Sequence, residues 1–279
     1  MKFLVIIFLL FRRQQNNLKS KCRLEDCEEW QTFLNNSIHQ LCYQRDKITF
    51  LKFKKKFKFK GSIKLPENTT HTDNIDCNDK KLPYIIGLDI SFIKDNTEDA
   101  CVGLTVLSLP YLEVVYEETT MIKITVPYVS GYLAFREAEF YVGRMRSFME
   151  AHPDFRPLCL MVDGNGVLHK KNFGLACHIG VMLDLPTIGV AKKLSNVDGI
   201  EKNNSLRKKI ENMQNCGDSI MLESSSGNVL GIALRSGVDS RNPVYISVGH
   251  KISLQTAINL VKLCCVCRIP EPIRLVRFK

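Results

Sequence analysis

Three acidic residues stand where the sequence is otherwise strongly apolar. Asp89 ends the run YIIGLD, Asp163 ends the run LCLMVD, and Glu137 lies inside GYLAFREAEF. The two runs that end in aspartate have the continuous apolar character of buried strands. On a helix, Glu137 would share the apolar face with Leu133 and Tyr141, four residues to either side. All three carboxylates are therefore predicted to lie at the margin of a core.

Carboxylates in such surroundings need compensation. An ionised carboxylate in an apolar environment is costly unless a cation or hydrogen-bond donors stabilise it. Taken alone, each residue has an ordinary explanation, because Asp often ends strands as a turn or cap residue and a single helical Glu usually faces solvent. If the three segments meet, however, the mutual repulsion is most readily relieved by a divalent cation. The pattern favours a Mg²⁺ site.

The net charge of +10 is unevenly distributed. Residues 45–60 (RDKITFLKFKKKFKFK) hold seven Lys and one Arg against one Asp, so the rest of the chain is only mildly basic. A nucleic-acid partner is compatible with this charge without being demonstrated by it. The alternating Lys and Phe residues could form an exposed strand, a nucleic-acid-binding arm or a disordered insertion, and we expect the insertion.

Neither the cysteines nor the N-terminus indicates a secreted protein. Eleven cysteines are an odd number, and Cys264, Cys265 and Cys267 lack a second Cys/His pair at zinc-ligand spacing. A reduced intracellular protein fits best. The nine-residue apolar run 3–11 is too short to span a bilayer, and no small-residue cleavage site follows it. A secretory or membrane role stays an alternative, and we expect no stable membrane association.

Hydrophobic periodicity predicts an α/β protein with a mixed sheet. Strands that follow one another and then alternate with helices are typical of that class. The predicted domain organisation is an apolar segment 1–13 that is disordered or foreign to the protein, a helix 14–41 on the core, a basic and polar insertion 42–82, and a catalytic domain 83–279. Within that domain the predicted strands are 84–93, 101–109, 112–126, 158–163, 187–192, 219–224, 229–235 and 244–249, and the predicted helices are 131–152, 173–185 and 253–265.

Five segments, in this order, resemble the endonuclease V family of inosine-directed nucleases. They are YIIGLDI (84–90), PYVSGYLAFRE (127–137), VDGNG (162–166), PTIGVAKK (186–193) and SVGHKIS (247–253). The resemblance covers about residues 84–273. It implies a ribonuclease H-like fold, a mixed central sheet flanked by helices, related to the slicer domains of Argonaute proteins.

The resemblance also implies a set of catalytic residues. Asp89, Glu137 and Asp163 correspond to the family's Mg²⁺ ligands, and Mn²⁺ is expected to substitute for Mg²⁺. Lys192 and His250 correspond to the family's active-site lysine and histidine. The alternative for Lys192 is a strand-end lysine that reaches solvent, and His250 could instead satisfy a backbone group.

The resemblance further implies how inosine is recognised. Tyr128 corresponds to a wedge that stacks into the gap left by an extruded base. The base itself is expected near Gly131, Leu133, Gly164 and Gly166, where backbone groups can approach the hypoxanthine edge closely. Guanine shares that edge and adds a 2-amino group, so its rejection must be steric. Ordinary turn chemistry is the alternative explanation for these glycines.

The predicted activity is Mg²⁺-dependent cleavage of a phosphodiester bond on the 3′ side of inosine, leaving 5′-phosphate and 3′-hydroxyl ends. The forms PYVS and VDGNG resemble animal members of the family, which favours RNA as the main substrate. The alternatives are repair of deoxyinosine in DNA, or binding of inosine-containing RNA with weak cleavage. The last arises because Val276 and Arg277 stand where the family pattern has Ala-Asp. A monomer in the cytoplasm and in the nucleus or nucleolus is expected.

Overall fold

The structure is a computed structural model that describes residues 2–57, 84–96, 98–127, 129, 131–155, 157–194, 197, 200, 204–238 and 240–276. The helices are α1 (Lys2–Lys19), α2 (Glu29–Phe57), α3 (Ala134–Ala151), α4 (Leu175–Leu183), α5 (Asn204–Glu211), α6 (Leu254–Cys264) and α7 (Glu271–Arg274). The strands are β1 (Tyr84–Phe92), β2 (Asp99–Ser108), β3 (Glu113–Lys123), β4 (Pro157–Asp163), β5 (Thr187–Ala191), β6 (Ser219–Glu223), β7 (Val229–Leu234) and β8 (Val244–His250).

A single mixed sheet organises the domain, with strand order β3-β2-β1-β4-β5-β8-β7-β6. The three central strands β1, β4 and β5 are parallel, and antiparallel strands extend the sheet on both sides. Both faces of the central strands are buried, which explains their unbroken apolar sequences. All eight predicted strands are present. The short helices α5 and α7 were not predicted.

The two sheet faces carry separate hydrophobic cores. On one face, Ile86 and Leu88 of β1 pack with the apolar side of α3, including Tyr141 and Met145. On the other face, Ile85 packs in a cluster that also takes in side chains of α2 and α6. Alternate β1 residues thus belong to opposite cores, as strand geometry requires. Side chains at positions 87 and 89 must share the face of Ile85.

The N-terminal region forms two helices, so the prediction of one helix over 14–41 is wrong. The chain leaves the helical path between α1 and α2 because residues there bond to the start of α6. Asp26 accepts hydrogen bonds from Ser253 N (2.8 Å) and Thr256 Oγ1 (2.7 Å), and Arg23 O accepts one from Lys251 N (2.8 Å). The backbone N–H groups of Lys251 and Ser253 thus find acceptors in the segment between α1 and α2.

Residues 1–13 were expected to be disordered or foreign to the protein; the described part of this segment belongs to helix α1. In α1, Phe11 stacks on Phe135 with ring centroids 4.4 Å apart, and Phe8 meets Tyr132 edge-on at 5.3 Å. The apolar run is therefore used for packing on α3. No helix in the described part of the chain is long and apolar enough to cross a membrane.

The predicted insertion begins within α2. Arg45 Nη1 donates to the carbonyls of Lys262 (2.7 Å) and Leu263 (2.8 Å), near the end of α6 where such groups lack helical partners. The first residues of the segment predicted to be a disordered insertion are therefore helical and bonded to α6. Positions 58–83 lie outside the described residues, and the domain boundaries stay a prediction.

Helix α7 lies directly on the central strand β1. Gly87 is in contact with the backbone of Pro272, and a Cβ atom added at Gly87 would overlap the Pro272 carbonyl. Only glycine allows this approach without displacement of one element. The contact holds α7 against β1 at Gly87, two residues before Asp89 in the sequence.

We predict that Gly87→Ala destabilises the protein by about 2–3 kcal/mol, because α7 must move away from β1. Gly143→Ala is the matched control. A Cβ atom at Gly143, in the middle of α3, meets nothing within 4 Å, so alanine should stabilise the helix by about 0.5–1 kcal/mol. Urea unfolding of both variants tests this, and equal stability of the Gly87→Ala variant and the wild type would contradict it.

Candidate active site

Two of the three predicted carboxylates lie on adjacent central strands. The parallel register pairs Leu88 of β1 with Val162 of β4, so Asp89 and Asp163 follow at the next position of each strand. Both side chains therefore lie at neighbouring positions of adjacent strands. Both aspartates are partly exposed. The sheet thus brings two acidic groups together at one edge.

Glu137 approaches this pair from α3. Its side chain is 7% exposed in the first turn of that helix, so the predicted burial on the apolar face is observed. Burial raises the pKa of Glu137 to about 7; the charge of Arg136 opposes the shift, and the charges of Asp89 and Asp163 add to it. Glu137 therefore shares an electrostatic environment with both aspartates.

The pKa of Asp89 is shifted in the same direction. Burial and the charge of Asp163 raise it to about 7, against opposing contributions from Lys192 and from the N–H of Ile90. Two carboxyl groups close together cannot both ionise at their ordinary pKa. The repulsion anticipated from the sequence is therefore present in the structure.

Lys192 supplies positive charge to this cluster. It directly follows β5, where Val190 pairs with Asp163, and its Nζ lies 2.5 Å from Asp163 Oδ2. Burial alone would lower the pKa of Lys192, but the hydrogen bond to Asp163 and the charges of Asp163 and Asp89 outweigh it, and the net shift is upward. The ammonium group is thus held in its charged form beside the carboxylates.

The donor set suits a hard divalent cation, which takes carboxylate oxygens as ligands. Burial and repulsion between the carboxylates raise the pKa values of Asp89 and Glu137 to about 7. A bound cation would favour the ionised forms of both groups. In the arrangement described, no three His, Cys, Asp or Glu side chains of the described residues are already placed to hold a metal ion together. Asp163 is paired with Lys192 instead, so cation binding would require side-chain adjustment.

His250 does not lie at this cluster, contrary to the prediction. Strand β8 runs antiparallel to β5 and pairs His250 with Thr187, at the beginning of β5, whereas Lys192 follows its end. Five residues of strand separate the two positions, about 16 Å at the usual rise per residue. His250 is therefore at the opposite edge of the sheet from Asp163.

The contacts of His250 are structural. The side chain is 2% exposed, its Nδ1 accepts from Arg23 N (3.2 Å), and its Nε2 lies 3.3 Å from Asp184 Oδ1. These contacts join the end of β8 to the segment between α1 and α2 and to the end of α4. The alternative of a histidine that satisfies a backbone group fits this position.

The residues expected to recognise the base are only partly brought together. Gly131 adopts a left-handed conformation (φ +82°) just before α3, and Leu133 is 39% exposed at the start of that helix. Gly164 follows Asp163, and a Cβ atom added there would lie 3.4 Å from Leu175 Cδ2. Tyr128 lies outside the described residues, so its wedge role stays a prediction.

Gly166 packs closely inside the protein, and its predicted role in recognition of the base stays a prediction. Its N–H already donates to Ser247 Oγ (2.8 Å), and its carbonyl accepts from Gly174 N (2.9 Å). A Cβ atom added at Gly166 would overlap the carbonyl of Val248. Both backbone groups are thus engaged inside the protein, and the glycine is required for close approach to β8.

Arg268 was missed by sequence reasoning. Its Nη2 donates to the carbonyl of Lys192 (2.7 Å), and its Nε donates to that of Asn242 (3.0 Å), so one guanidinium joins the end of β5 to the segment before β8. Arginine is suited to several carbonyls at once because it offers five donors. No local motif marks this role, since the partners are far apart in sequence.

Helix α7 does not supply a substitute for the acidic residue that the family pattern has at position 277. Glu271 is the acidic residue of that helix, and Arg274 binds it through Nε (2.7 Å) and Nη2 (2.5 Å). Val276 is buried, and Arg277 lies outside the described residues. The cluster formed by the described residues thus consists of three carboxylates and Lys192.

The raised carboxyl pKa predicts how stability depends on pH when divalent cations are removed. Because the folded state holds the Asp89 proton up to about pH 7, whereas an unfolded Asp titrates near pH 4, the folded protein binds more protons between these values. Stability should therefore fall as pH rises from about 4 to 7. In EDTA at pH 8, Asp89→Asn should melt about 5 °C above the wild type, with a smaller difference at pH 5.

The control for this measurement is Asp95→Asn, at an exposed turn in which residue 95 has φ 64°. It removes the same charge away from the cluster. If Asp89→Asn and Asp95→Asn shift the melting temperature equally at pH 8, the repulsion at the cluster is not the cause.

The position of His250 predicts a loss of stability rather than of chemistry. His250→Ala should lower the free energy of unfolding by about 1–3 kcal/mol, because Arg23 N would lose its buried acceptor. Single-turnover cleavage of an inosine oligonucleotide, the substrate that the resemblance implies, should stay within about threefold of wild type at a temperature where the variant is folded. Lys192→Ala should show the reverse pattern. A large loss of cleavage by folded His250→Ala would return that residue to the active site.

Comparison with known proteins agrees with this architecture. The sequence pattern of the family described as Endonuclease V matches residues 65–277. Human endonuclease V is 54% identical over 193 residues, which span 69% of this chain and 68% of the human protein. Mouse endonuclease V is 53% identical over 193 residues, which span 69% of this chain and 57% of the mouse protein.

Solved structures extend the similarity to three dimensions. The catalytic domain of human endonuclease V has a TM-score of 0.78 at 40% identity, covering 97% of this chain and 92% of that one. Endonuclease V of Ciona intestinalis, in complex with a 24mer DNA containing an inosine followed by a ribo-adenosine, has a TM-score of 0.66 at 37% identity, covering 70% of this chain and 83% of that one. The predicted α/β fold with a mixed central sheet flanked by helices is confirmed, and the chain belongs to the endonuclease V family of inosine-specific endonucleases.

Proposed function

We propose that this protein is a Mg²⁺-dependent endonuclease that cleaves a phosphodiester bond on the 3′ side of inosine, chiefly in RNA, leaving 5′-phosphate and 3′-hydroxyl ends. The observation that carries the proposal is the placement of Asp89 and Asp163 at neighbouring positions of β1 and β4, with Lys192 bound to Asp163. Family membership supplies the inosine specificity.

The proposed roles follow from charge. Asp89, Glu137 and Asp163 would hold the cation. When bound, Mg²⁺ neutralises charge on the phosphate and makes a water molecule easier to deprotonate at neutral pH. The ammonium of Lys192, about half exposed beside Asp163, would stabilise negative charge that develops on the phosphate. Arg268 would keep Lys192 in place through its backbone carbonyl.

Recognition of the base is proposed for the segment before α3 and the loop after β4. The left-handed Gly131 and the exposed Leu133 lie before Glu137, and Gly164 lies directly after Asp163. A base held between these two segments would lie next to the carboxylates that act on its 3′ side. Tyr128 is proposed as the wedge, because an aromatic ring can replace the stacking that an extruded base gives up.

RNA is proposed as the main substrate because of the nucleotide that follows inosine. The oligonucleotide bound by the Ciona protein has a ribo-adenosine at that position. A ribose there offers a 2′-hydroxyl, which is the group by which a protein distinguishes RNA from DNA. The remainder of that oligonucleotide is DNA, so cleavage of deoxyinosine in DNA is the second candidate.

The two candidates are separated by three single-stranded oligonucleotides of one sequence, each with one inosine: all RNA, all DNA, and DNA with a single ribonucleotide after the inosine. We expect RNA and the chimera to be cut at similar rates, DNA more slowly, and all cleavage to stop in EDTA. Guanosine in place of inosine is the specificity control. Equal cleavage of guanosine substrates, or cleavage in EDTA, would contradict the proposal, and equal rates on RNA and DNA would favour the second candidate.

Variants of the carboxylates test the chemistry. Glu137→Gln should lower the cleavage rate at least about a hundred-fold, the scale associated with removal of one major electrostatic contributor. Asp89→Asn and Asp163→Asn should do the same while the variants remain folded and still bind inosine RNA. Glu139→Gln, on the exposed side of the same helix, is the matched control and should cleave normally. A Glu137→Gln variant as active as the control would remove Glu137 from the mechanism.

A further inference from the structure

Three lysines from two distant segments converge beside the start of α3. Lys19, in the last turn of α1, donates from Nζ to the carbonyl of Lys171 (2.8 Å). The Lys171 side chain passes Gly131, with its Cε 3.7 Å from the position of an added Cβ. Lys170 is the exposed neighbour of Lys171. We name Lys19, Lys170 and Lys171 the lysine cluster.

The Lys171 ammonium is held over aromatic rings. Its Nζ lies 4.8 Å from the ring centroid of Tyr132 and 6.0 Å from that of Phe8. A cation placed over a ring face is attracted to it. The side chain is therefore fixed before any ligand arrives, which lowers the entropy lost on binding.

The lysine cluster concentrates uncompensated positive charge. Burial, and the charges of Lys171, Lys170 and Lys19, lower the pKa of the neighbouring His169 to about 4. Among the described residues, none of the three ammonium groups forms an ion pair with a carboxylate. Like charges held together without counter-ions favour an anionic ligand.

The location of the cluster identifies that ligand. Gly131 precedes the helix of Glu137, and residues 164–174 form the loop between Asp163 and α4. The lysine cluster thus borders both segments that carry the carboxylates. A nucleic-acid strand whose inosine lies between those segments must carry its flanking phosphates past this position.

We propose that the lysine cluster binds backbone phosphates of the substrate strand next to the extruded inosine, with Lys170 and Lys171 making the direct contacts and Lys19 positioning Lys171. This inference rests on the proposed function, because it takes the strand to be the substrate of the neighbouring site. These lysines contribute to the affinity for the strand, and other groups select the base.

The test is the salt dependence of binding to a labelled single-stranded inosine RNA, measured in EDTA so that no cleavage occurs. Each phosphate contact to a single strand contributes about 0.7 to the slope of log affinity against log salt concentration. The double variant Lys170→Gln/Lys171→Gln should therefore reduce the magnitude of this slope by about 1.4 and weaken binding at low salt. The ratio of affinities for inosine and guanosine RNA should be unchanged.

Two controls make the result specific. Lys208→Gln/Lys209→Gln removes the same charge from exposed positions of α5, outside the lysine cluster, and should change the slope by much less. Lys170→Arg/Lys171→Arg keeps the charge and should retain the wild-type slope. A Gln variant with the wild-type slope, or a loss no greater than that of the α5 control, would overturn the proposal.

The same experiment separates failure of this inference from failure of the proposed function. If wild-type protein shows no preference for inosine RNA, the proposed function fails, whereas the slopes on guanosine RNA still report on the lysine cluster. If wild-type protein prefers inosine and the slopes of the wild type and the Gln variant agree, the inference alone fails. An acidic protein segment as the true ligand would give that second result.

Discussion

The repulsion between Asp89 and Asp163 is the constraint on which the active site depends. Parallel pairing of β1 with β4 leaves no freedom to separate the two carboxylates, because their neighbours Leu88 and Val162 are fixed in register within the core. Burial of Glu137 adds a third acidic group. Positive charge must therefore be supplied at this edge of the sheet. Lys192 supplies part of it, and the proposed cation would supply the rest.

The surrounding structure is arranged to keep that edge rigid. Gly87 lets α7 lie directly on β1 just before Asp89, and Gly166 lets the loop after Asp163 lie directly on β8. Arg268 ties the carbonyl of Lys192 to the segment before β8. Each contact involves backbone, which moves less than side chains. The acidic groups can therefore be held together at a cost that the well-packed centre of the sheet offsets.

Sequence reasoning succeeded where a property is local. Apolar runs located β1 and β4, and their terminal aspartates marked the site, because buried parallel strands are continuous in hydrophobicity. It failed where the answer depended on strand direction or on packing between distant segments. His250 ends a strand as Asp163 does, but β8 runs antiparallel to β5, which reverses the edge at which it ends. The bonds from Gly166 to Ser247 and from Arg268 to Lys192 likewise join residues that are 81 and 76 positions apart in the sequence.

The central claim is that the carboxylate cluster holds a divalent cation. Crystals grown with MnCl₂ and measured at the manganese absorption edge test it most directly, since anomalous scattering locates the metal without assumptions about its ligands. The account predicts an anomalous peak within about 2.5 Å of carboxylate oxygens of Asp89 and Asp163, with Lys192 moved from its contact with Asp163. A fully active, Mn²⁺-dependent protein whose peak lies elsewhere would contradict it.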